Sequence, residues 1–351
     1  MIAYIVRRTL LGAFCLFVIS FFSFMIVQIP EGDLVDQFYD LYVPAFGNPP
    51  QDVDDEFLQE MRIKLGLYDP LIVQWWNWIF KVVTKGDFGT SYTEVVANNA
   101  HGSPVRDAIN QRLPYTIYLA LFTMMITWIF SIPVGIYSAV RKNSLGDYVF
   151  TFMGFTGLAV PDFLLGLVLM YVAFAYFGHS VGGIFSYEHL NSPWGVARVM
   201  DMLSHLVIPG IVLGTAGTAG LVRVMRNNLL DELNKPYVIT AKAKGLESWK
   251  VVVKYPVRVA LNPFISGIGS MLPSLVSGSV IVSIVLSLPT LGPILLEGTM
   301  EQDGPLIAAS ILMLSSLSIL GTLLSDLLLA VVDPRIKLTG SGQTGSGGSG
   351  V

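Results

Sequence analysis

Six long apolar stretches divide the sequence, and each is long enough to cross a hydrocarbon core of about 30 Å as a helix. The first, residues 9–29, is an uncharged run of 21 residues that follows Arg7 and Arg8. It is too long for the core of a signal peptide and no small-residue cleavage site follows it, so we expect it to be retained. The other predicted spans cover residues 115–140, 149–177, 205–224, 264–288 and 305–332.

The charges between these stretches predict the orientation of the chain. Cytoplasmic loops of membrane proteins carry an excess of Lys and Arg. With both termini placed in the cytoplasm, 14 of the 21 basic residues lie inside and 18 of the 25 acidic residues lie outside. A topology shifted by one span would reverse this bias. The pattern therefore predicts six transmembrane helices with both termini in the cytoplasm.

Residues 31–113 form the largest region between the predicted spans, and they contain 13 acidic and six basic residues. We expect an acidic extracytoplasmic region. Within it, residues 71–80 carry Trp75, Trp76 and Trp78 but are too short to span a membrane. They predict an interfacial helix anchored by its tryptophans, because indole side chains favour the membrane surface. Stacking of these rings on a sugar is the alternative.

Composition restricts the class of protein further. The chain is 53% hydrophobic and 13% charged, with a mean hydropathy of +0.62, which predicts an all-α membrane protein. No G-x-x-x-x-G-K-[ST] motif occurs, so we expect ATP to be hydrolysed by a partner and not by this chain. No G-x-S-x motif pairs with a histidine in a span, which argues against an intramembrane hydrolase. The single Cys15 is expected to be a small buried hydrophobe.

The predicted domain organisation follows from these features. It consists of the N-terminus and first span at 1–30, the extracytoplasmic region at 31–113, and a five-helix membrane core at 114–338 with a cytoplasmic loop at 227–263. Residues 339–351 are mainly Gly, Ser and Thr, and we interpret them as a linker or tag remnant.

The segment 235–263 lies between two apolar stretches and is too charged to lie in lipid. Within it, Pro236 suits the first turn of a helix, and Gly245 suits a left-handed C-terminal cap. The pair therefore predicts a two-turn helix over Tyr237–Lys244. A second short helix is predicted to start at Glu247 and Ser248. On charge alone, an ordinary basic loop that holds the membrane orientation is also a good interpretation.

The spacing of this segment resembles the cytoplasmic EAA loop of the permease subunits of bacterial ABC importers. Ala241, Gly245 and Pro263 stand at motif positions, and the run AKAKGL at 241–246 looks like the peptide and nickel branch of the family. The loop departs from the general motif at residues 239–240, and Pro256 interrupts its second helix. Further runs similar to the family are P-x-G-D at 30–33, GDFGTS at 86–91, SLPTLG at 287–292 and DPRIK at 333–337.

The resemblance implies an ABC type I importer permease fold and a coupling helix that enters a groove of a separate ATPase subunit. The residues it implies for this contact are Tyr237, Ala241, Lys242, Lys244, Gly245, Leu246 and Pro263. It implies a second related permease, two ATPase subunits that use ATP and Mg²⁺, and an extracytoplasmic binding protein, with no nucleic acid. The expected location is the cytoplasmic membrane of a bacterium or archaeon. The expected cargo is a peptide, with an oligosaccharide or nickel as alternatives.

No metal site is predicted, because the four histidines are too scattered for a ligand set. We also predict no catalytic residue and no bound cofactor for this chain. Two residues are candidates for the translocation path. Asp162, beside Pro161 and about halfway along the third predicted span, either faces that path or caps backbone donors freed near Pro161, since a buried carboxylate in lipid is costly. Ser283, in the fifth predicted span, stands where peptide permeases of this family usually carry Glu. The alternative from another class is a proton-coupled secondary transporter that uses Asp162.

Overall fold

The computed structural model describes residues 2–29, 35, 58–60, 62–63, 66–91, 103–178 and 182–332, and most of them are helical. The helices are α1 Ile2–Val27, α2 Leu71–Lys85, α3 Val105–Val140, α4 Leu145–Ala159, α5 Asp162–Phe177, α6 Val196–Leu233, α7 Pro236–Ala243, α8 Ser248–Lys254, α9 Pro256–Ala260, α10 Asn262–Val285, α11 Leu291–Met300 and α12 Gly304–Val332. Two short strands, β1 Thr90–Ser91 and β2 Ser103–Pro104, pair antiparallel.

Four helices in the described part of the chain are long and apolar enough to cross a membrane. They are α1, α3, α6 and α12, and the bent pair α4–α5 would make a fifth span. The predicted fifth stretch, 264–288, is also helical as α10. These helices support an all-α membrane protein. The count of six spans and the cytoplasmic location of both termini stay predictions.

The third predicted span is not one continuous helix. α4 ends at Ala159 and α5 begins at Asp162, and the two helices are bent by 103°. The reason is Pro161, because a proline disfavours helical backbone in the residue before it. Val160 accordingly adopts an extended conformation with φ −86° and ψ 126°. The apolar pattern misses this break because both halves are hydrophobic.

Other boundaries differ in length. α3 begins at Val105, well before the predicted residue 115, and α6 extends beyond both predicted ends to Val196 and Leu233. The apolar stretch marks only the part of a helix that suits lipid, whereas the helix itself continues into polar sequence. The last helix, Gly304–Val332, agrees closely with its prediction.

The described chain divides into two compact units. The first contains the described residues of 2–10, 119–287 and 318–332. Within it, α6 packs against α3, α4, α5 and α10. Close approach of α6 to α3 requires glycine, because a Cβ at Gly210 would lie 2.9 Å from the Phe122 ring and one at Gly214 would lie 3.0 Å from the Thr127 hydroxyl. Small residues serve such helix packing in membranes.

The second unit contains the described residues of 11–118 together with residues 288–317. Its core joins apolar side chains of the motif at 86–91, α3, α11 and α12. α2 packs on α1, where the Trp75 ring lies 5.0 Å from Phe17 and 5.3 Å from Phe21, and its indole N–H donates to Ser20. Trp75 is only 6% exposed.

The predicted anchoring role of all three tryptophans is therefore wrong in part. Trp75 belongs to the core, and the half-buried Trp78 donates its indole N–H to the Phe88 carbonyl at 3.1 Å. Trp76 is the exposed ring of the three. Helical spacing places Trp75 and Trp78 on one face of α2 and Trp76 on another, and only packing decides which face is buried.

Two features of α1 differ from what its own sequence indicates. Cys15, expected to be buried, is exposed. Arg8, at the start of the uncharged run, contacts the Asp326 carboxylate of α12 at 3.2 Å, so these two helices share an ion pair. The acidic cluster at 52–56 and the run DPRIK at 333–337 lie outside the described residues.

Candidate coupling loop and translocation residues

The loop between α6 and α10 contains three short helices, α7 to α9, where two were predicted, with a break at Pro256. α7 starts at Pro236, as its missing N–H allows, and Gly245 follows its end with φ +78°. Glu247 occupies the N-cap position of α8, which starts at Ser248. The sequence signals for these helix ends are confirmed.

The inner face of this loop is packed. Val238 and Ala241 of α7 contact Val251 of α8, and all three are buried. Residues of α8 and α9 also join the core of α6, in which Val257 and Ala260 pack with Met225. The loop is therefore held on the membrane helices by apolar contacts.

The outer face of the loop exposes large apolar side chains. Ile239 is 60% exposed, Trp249 63%, Val253 54% and Leu246 41%. Lysine side chains of α7 and its cap are exposed as well. Exposed apolar patches on a protein surface are typical of interaction sites. Sequence reasoning missed Ile239, Trp249 and Val253, although the spacing of four between Trp249 and Val253 places both on one face of α8.

Polar contacts fix the orientation of two loop side chains. The indole N–H of Trp249 donates to Glu247 at 2.9 Å, and Lys250 pairs with the same carboxylate at 3.0 Å. The Tyr237 hydroxyl donates to Glu232 at the end of α6. Partial burial and the Glu232 carboxylate raise the pKa of Tyr237 to about 12. Its hydroxyl therefore remains a hydrogen-bond donor at neutral pH.

The seven residues predicted for the coupling contact divide into two groups. Ala241 is buried between α7 and α8, and Pro263 is half-buried in the first turn of α10. These two residues are at least partly covered by the chain itself, whereas the other group is open to solvent. That second group is exposed and consists of Tyr237, Lys242, Lys244, Gly245 and Leu246.

An ion pair with a buried carboxylate lies in the same unit and was missed by sequence reasoning. Asp147, in the first turn of α4, accepts from Arg226 Nε at 2.9 Å and from Arg226 Nη2 at 2.8 Å. The backbone N–H of Asn143 donates to the same carboxylate at 3.0 Å. Asp147 is 3% exposed. The available sequence signal was an acidic residue just before an apolar stretch.

The two translocation candidates have different surroundings. Asp162 is half-buried in the first turn of α5, and no described residue hydrogen-bonds to its carboxylate. The predicted capping of backbone donors near Pro161 is therefore absent from the described part of the chain. The negative charge of Asp162 is favourable at the positive, N-terminal end of the α5 dipole. Ser283 is fully buried in α10.

The loop before α6 is held by side chains of the first turns of that helix. The Asp201 carboxylate accepts from the Ser186 hydroxyl at 2.7 Å and lies 3.7 Å from His205 Nδ1. The Arg198 guanidinium lies 4.6 Å from the Phe185 ring and 4.7 Å from the Trp194 ring. These contacts order the loop through its own polar and aromatic groups.

One histidine of this loop, His189, lies within the described residues. His189 contacts the Ser186 hydroxyl at 3.2 Å, and His179 lies outside the described residues. Across the described ranges, no group of three or more His, Cys, Asp or Glu is placed to hold a metal ion.

Apolar helices that can cross a membrane, together with a loop that exposes apolar and basic side chains, define an integral membrane protein. Residues 131–338 match the family described as binding-protein-dependent transport system inner membrane component, and residues 1–120 match its N-terminal counterpart. The chain belongs to this family and is a permease of the ABC importer class. Such permeases work with ATPase and substrate-binding partners.

Curated relatives match over nearly the whole chain. The oligopeptide transport system permease protein AppB of Bacillus subtilis (strain 168) is 38% identical over 338 residues, covering 96% of this chain and 100% of that protein. The dipeptide transport system permease protein DppB of Lactococcus lactis subsp. cremoris (strain MG1363) is 30% identical, covering 96% and 100%. The glutathione transport system permease protein GsiC of Escherichia coli (strain K12) is 31% identical, covering 96% and 99%.

Proposed function

We propose that this chain forms half of the translocation pathway of an ATP-driven peptide importer and couples to a separate ATPase through residues 236–260. The observation that carries the coupling role is the two-sided loop, with a packed inner face and an outer face that exposes Ile239, Trp249 and Val253. The relatives named for oligopeptide, dipeptide and glutathione transport support a peptide as cargo. Family membership argues against the secondary transporter.

The proposed assembly contains a second, related permease, two ATPase subunits and an extracytoplasmic binding protein. We assign the use of ATP and Mg²⁺ to the ATPase subunits and no cofactor to this chain. The proposed location is the cytoplasmic membrane of a bacterium or archaeon, with six spans and both termini inside. The excess of Lys and Arg in the proposed inner loops supports this orientation.

The orientation is testable by cysteine labelling in intact cells, with the native cysteine removed as Cys15→Ser. A cysteine at Asp54 should react with an impermeant thiol reagent from outside, and one at Ser248 should react only after the membrane is opened. Both sites are predicted to lie in water, so the difference reports the side of the membrane. Labelling of Ser248→Cys in intact cells would contradict the six-span arrangement.

The cargo is testable with the complete complex, co-expressed with its neighbouring genes and reconstituted in vesicles. Peptides delivered by the binding protein should stimulate ATPase activity and accumulate in the vesicles, and oligosaccharides and nickel should do neither. Stimulation by oligosaccharide or nickel alone would overturn the proposed cargo while leaving the importer class intact.

Asp162 gives a sharper test of the peptide pathway. We propose that its carboxylate pairs with the amino terminus of the peptide, in place of the glutamate that peptide permeases usually carry at the position of Ser283. Asp162→Asn should abolish peptide uptake, because the amine would then enter the membrane unpaired. A neutral oligosaccharide would be little affected. Peptide uptake that survives Asp162→Asn, measured per assembled complex, would refute the pairing.

A further inference from the structure

The Asp147–Arg226 pair has a geometry that ordinary stabilisation does not require. The Asp147 carboxylate is nearly inaccessible to solvent and accepts two hydrogen bonds from one guanidinium, through Nε and Nη2 of Arg226. Removing such charges from water opposes the attraction between them, so apolar side chains of similar volume often stabilise a fold at least as well. What the bidentate contact adds is direction, because two parallel hydrogen bonds fix both distance and rotation.

The turn of α6 that contains Arg226 also packs against the coupling loop, residues 236–260. Met225 and Leu229, on either side of Arg226 in this turn, are fully buried and pack with Val257 and Ala260 of α9. A displacement of α9 therefore acts on the same helical turn that holds Asp147.

The other end of the ion pair belongs to a well-anchored part of α4. The Ser144 hydroxyl accepts from the backbone N–H of Asp147 at 3.3 Å and caps this helix. The Tyr137 ring packs edge-on against Phe150 at 5.7 Å. α4 then leads directly to the bend at Pro161.

We infer that Arg226 and Asp147 are positioning residues that transmit a displacement of the coupling loop from α6 to α4 and so to the α4–α5 bend. The inference rests on the proposed function, since it assumes that an ATPase acts on the loop. The pair itself contacts neither ATP nor cargo. Its role is to keep α4 in register with α6 while the loop moves.

The test uses the complete reconstituted complex and measures the amount of assembled complex, basal ATPase activity, and peptide transported per ATP hydrolysed. Arg226→Lys keeps the charge but loses the bidentate fork, and Asp147→Asn keeps the shape but loses the charge. Arg8→Lys is the matched control, because Arg8 pairs with Asp326 in the same unit and neither residue lies on the turn of α6 that packs against α9. The unaltered chain in the same assay tests the proposed function separately.

Arg226→Lys should assemble and hydrolyse ATP at the basal rate, while peptide transported per ATP falls roughly tenfold, a typical size for coupling between two sites. Asp147→Asn should reduce the ratio in the same direction, and Arg8→Lys should leave it unchanged. The inference is overturned if Arg226→Lys retains the normal ratio, or if it only lowers the amount of complex while each assembled complex remains fully coupled. Absence of peptide transport by the unaltered chain would instead overturn the proposed function.

Discussion

Two segments between the long helices of this protein use polar and apolar groups in opposite ways. The first is the coupling loop, residues 236–260. The second is the Ser91–Asp303 corner, where the motif at 86–91 meets the turn between α11 and α12. In the corner, Ser91 is 1% and Asp303 4% exposed, and the Asp303 carboxylate accepts from the Ser91 hydroxyl at 2.6 Å and from the Leu306 N–H at 3.0 Å.

The coupling loop has the reverse arrangement on its outer face. Trp249 and Ile239 are more than half exposed, and the charged groups of Lys250 and Glu247 pair at the surface. A buried polar group that is hydrogen-bonded stabilises the chain that contains it, whereas exposed apolar area contributes only when a partner covers it. The comparison therefore separates a motif that completes its own fold from one that leaves apolar side chains exposed, which is the surface we propose for the ATPase contact.

The largest effect is expected in the corner. Asp303→Ala removes the partner of Ser91 and the cap of the first turn of α12, and we expect a loss of unfolding free energy on the order of 2–4 kcal/mol. Thermal unfolding of the purified chain in detergent should show a lower midpoint.

Asp87→Asn is the control for this change, because Asp87 is exposed in the same motif and its contact to the Gly89 N–H survives in Asn. Equal midpoints for Asp303→Ala and Asp87→Asn would show that the corner does not stabilise the fold. Complexes of the Asp303 variant that do assemble should keep the normal amount of peptide transported per ATP.

An intermediate effect is expected at Gly245. Its φ of +78° disfavours a β-branched residue by about 1–2 kcal/mol, and no atom lies within 4 Å of an added Cβ. Gly245→Val should therefore disturb the end of α7 through the backbone alone. We expect normal membrane insertion and a roughly tenfold fall in peptide transported per ATP in reconstituted vesicles.

Gly245→Asn is the matched variant, since asparagine tolerates the left-handed conformation, and it should remain coupled. Full coupling of Gly245→Val would show that the cap of α7 has no role in docking. An equal loss of coupling in both variants would show that any added side chain at residue 245 disturbs coupling, whatever backbone conformation it tolerates.

The smallest effect is expected at Trp249. Trp249→Ala removes an exposed ring, so the thermal midpoint should not change, but affinity for the ATPase subunit should fall roughly fivefold, or by about 1 kcal/mol. Titration of the ATPase subunit against the purified permease measures this difference. The control is Tyr187→Ala, which removes an aromatic ring that is 96% exposed in the loop before α6. If both variants bind equally well, the outer face of the coupling loop is not the contact.

Much of the helical architecture could be predicted from the sequence. Apolar length is a local property, and it located α1, α10 and α12 to within a few residues, apart from the N-terminal end of α1. Local capping rules located α7 and α8, since Pro236 and Gly245 act through their own backbone. The family resemblance, carried by short runs such as AKAKGL and GDFGTS, is confirmed by the matching family and relatives.

Only the tertiary structure decided which faces of those helices are covered. Trp75 and Trp76 are neighbours of the same residue type, yet one is buried on α1 and the other is exposed. Asp147 and Arg226 are separated by 79 residues, and no spacing rule pairs them. Burial and ion pairing depend on which distant segments meet, whereas hydrophobic period and capping depend on neighbours in the chain. For this reason the sequence by itself determined most of the helices and the ends of the loop helices, and tertiary packing determined the pair that joins α4 to α6.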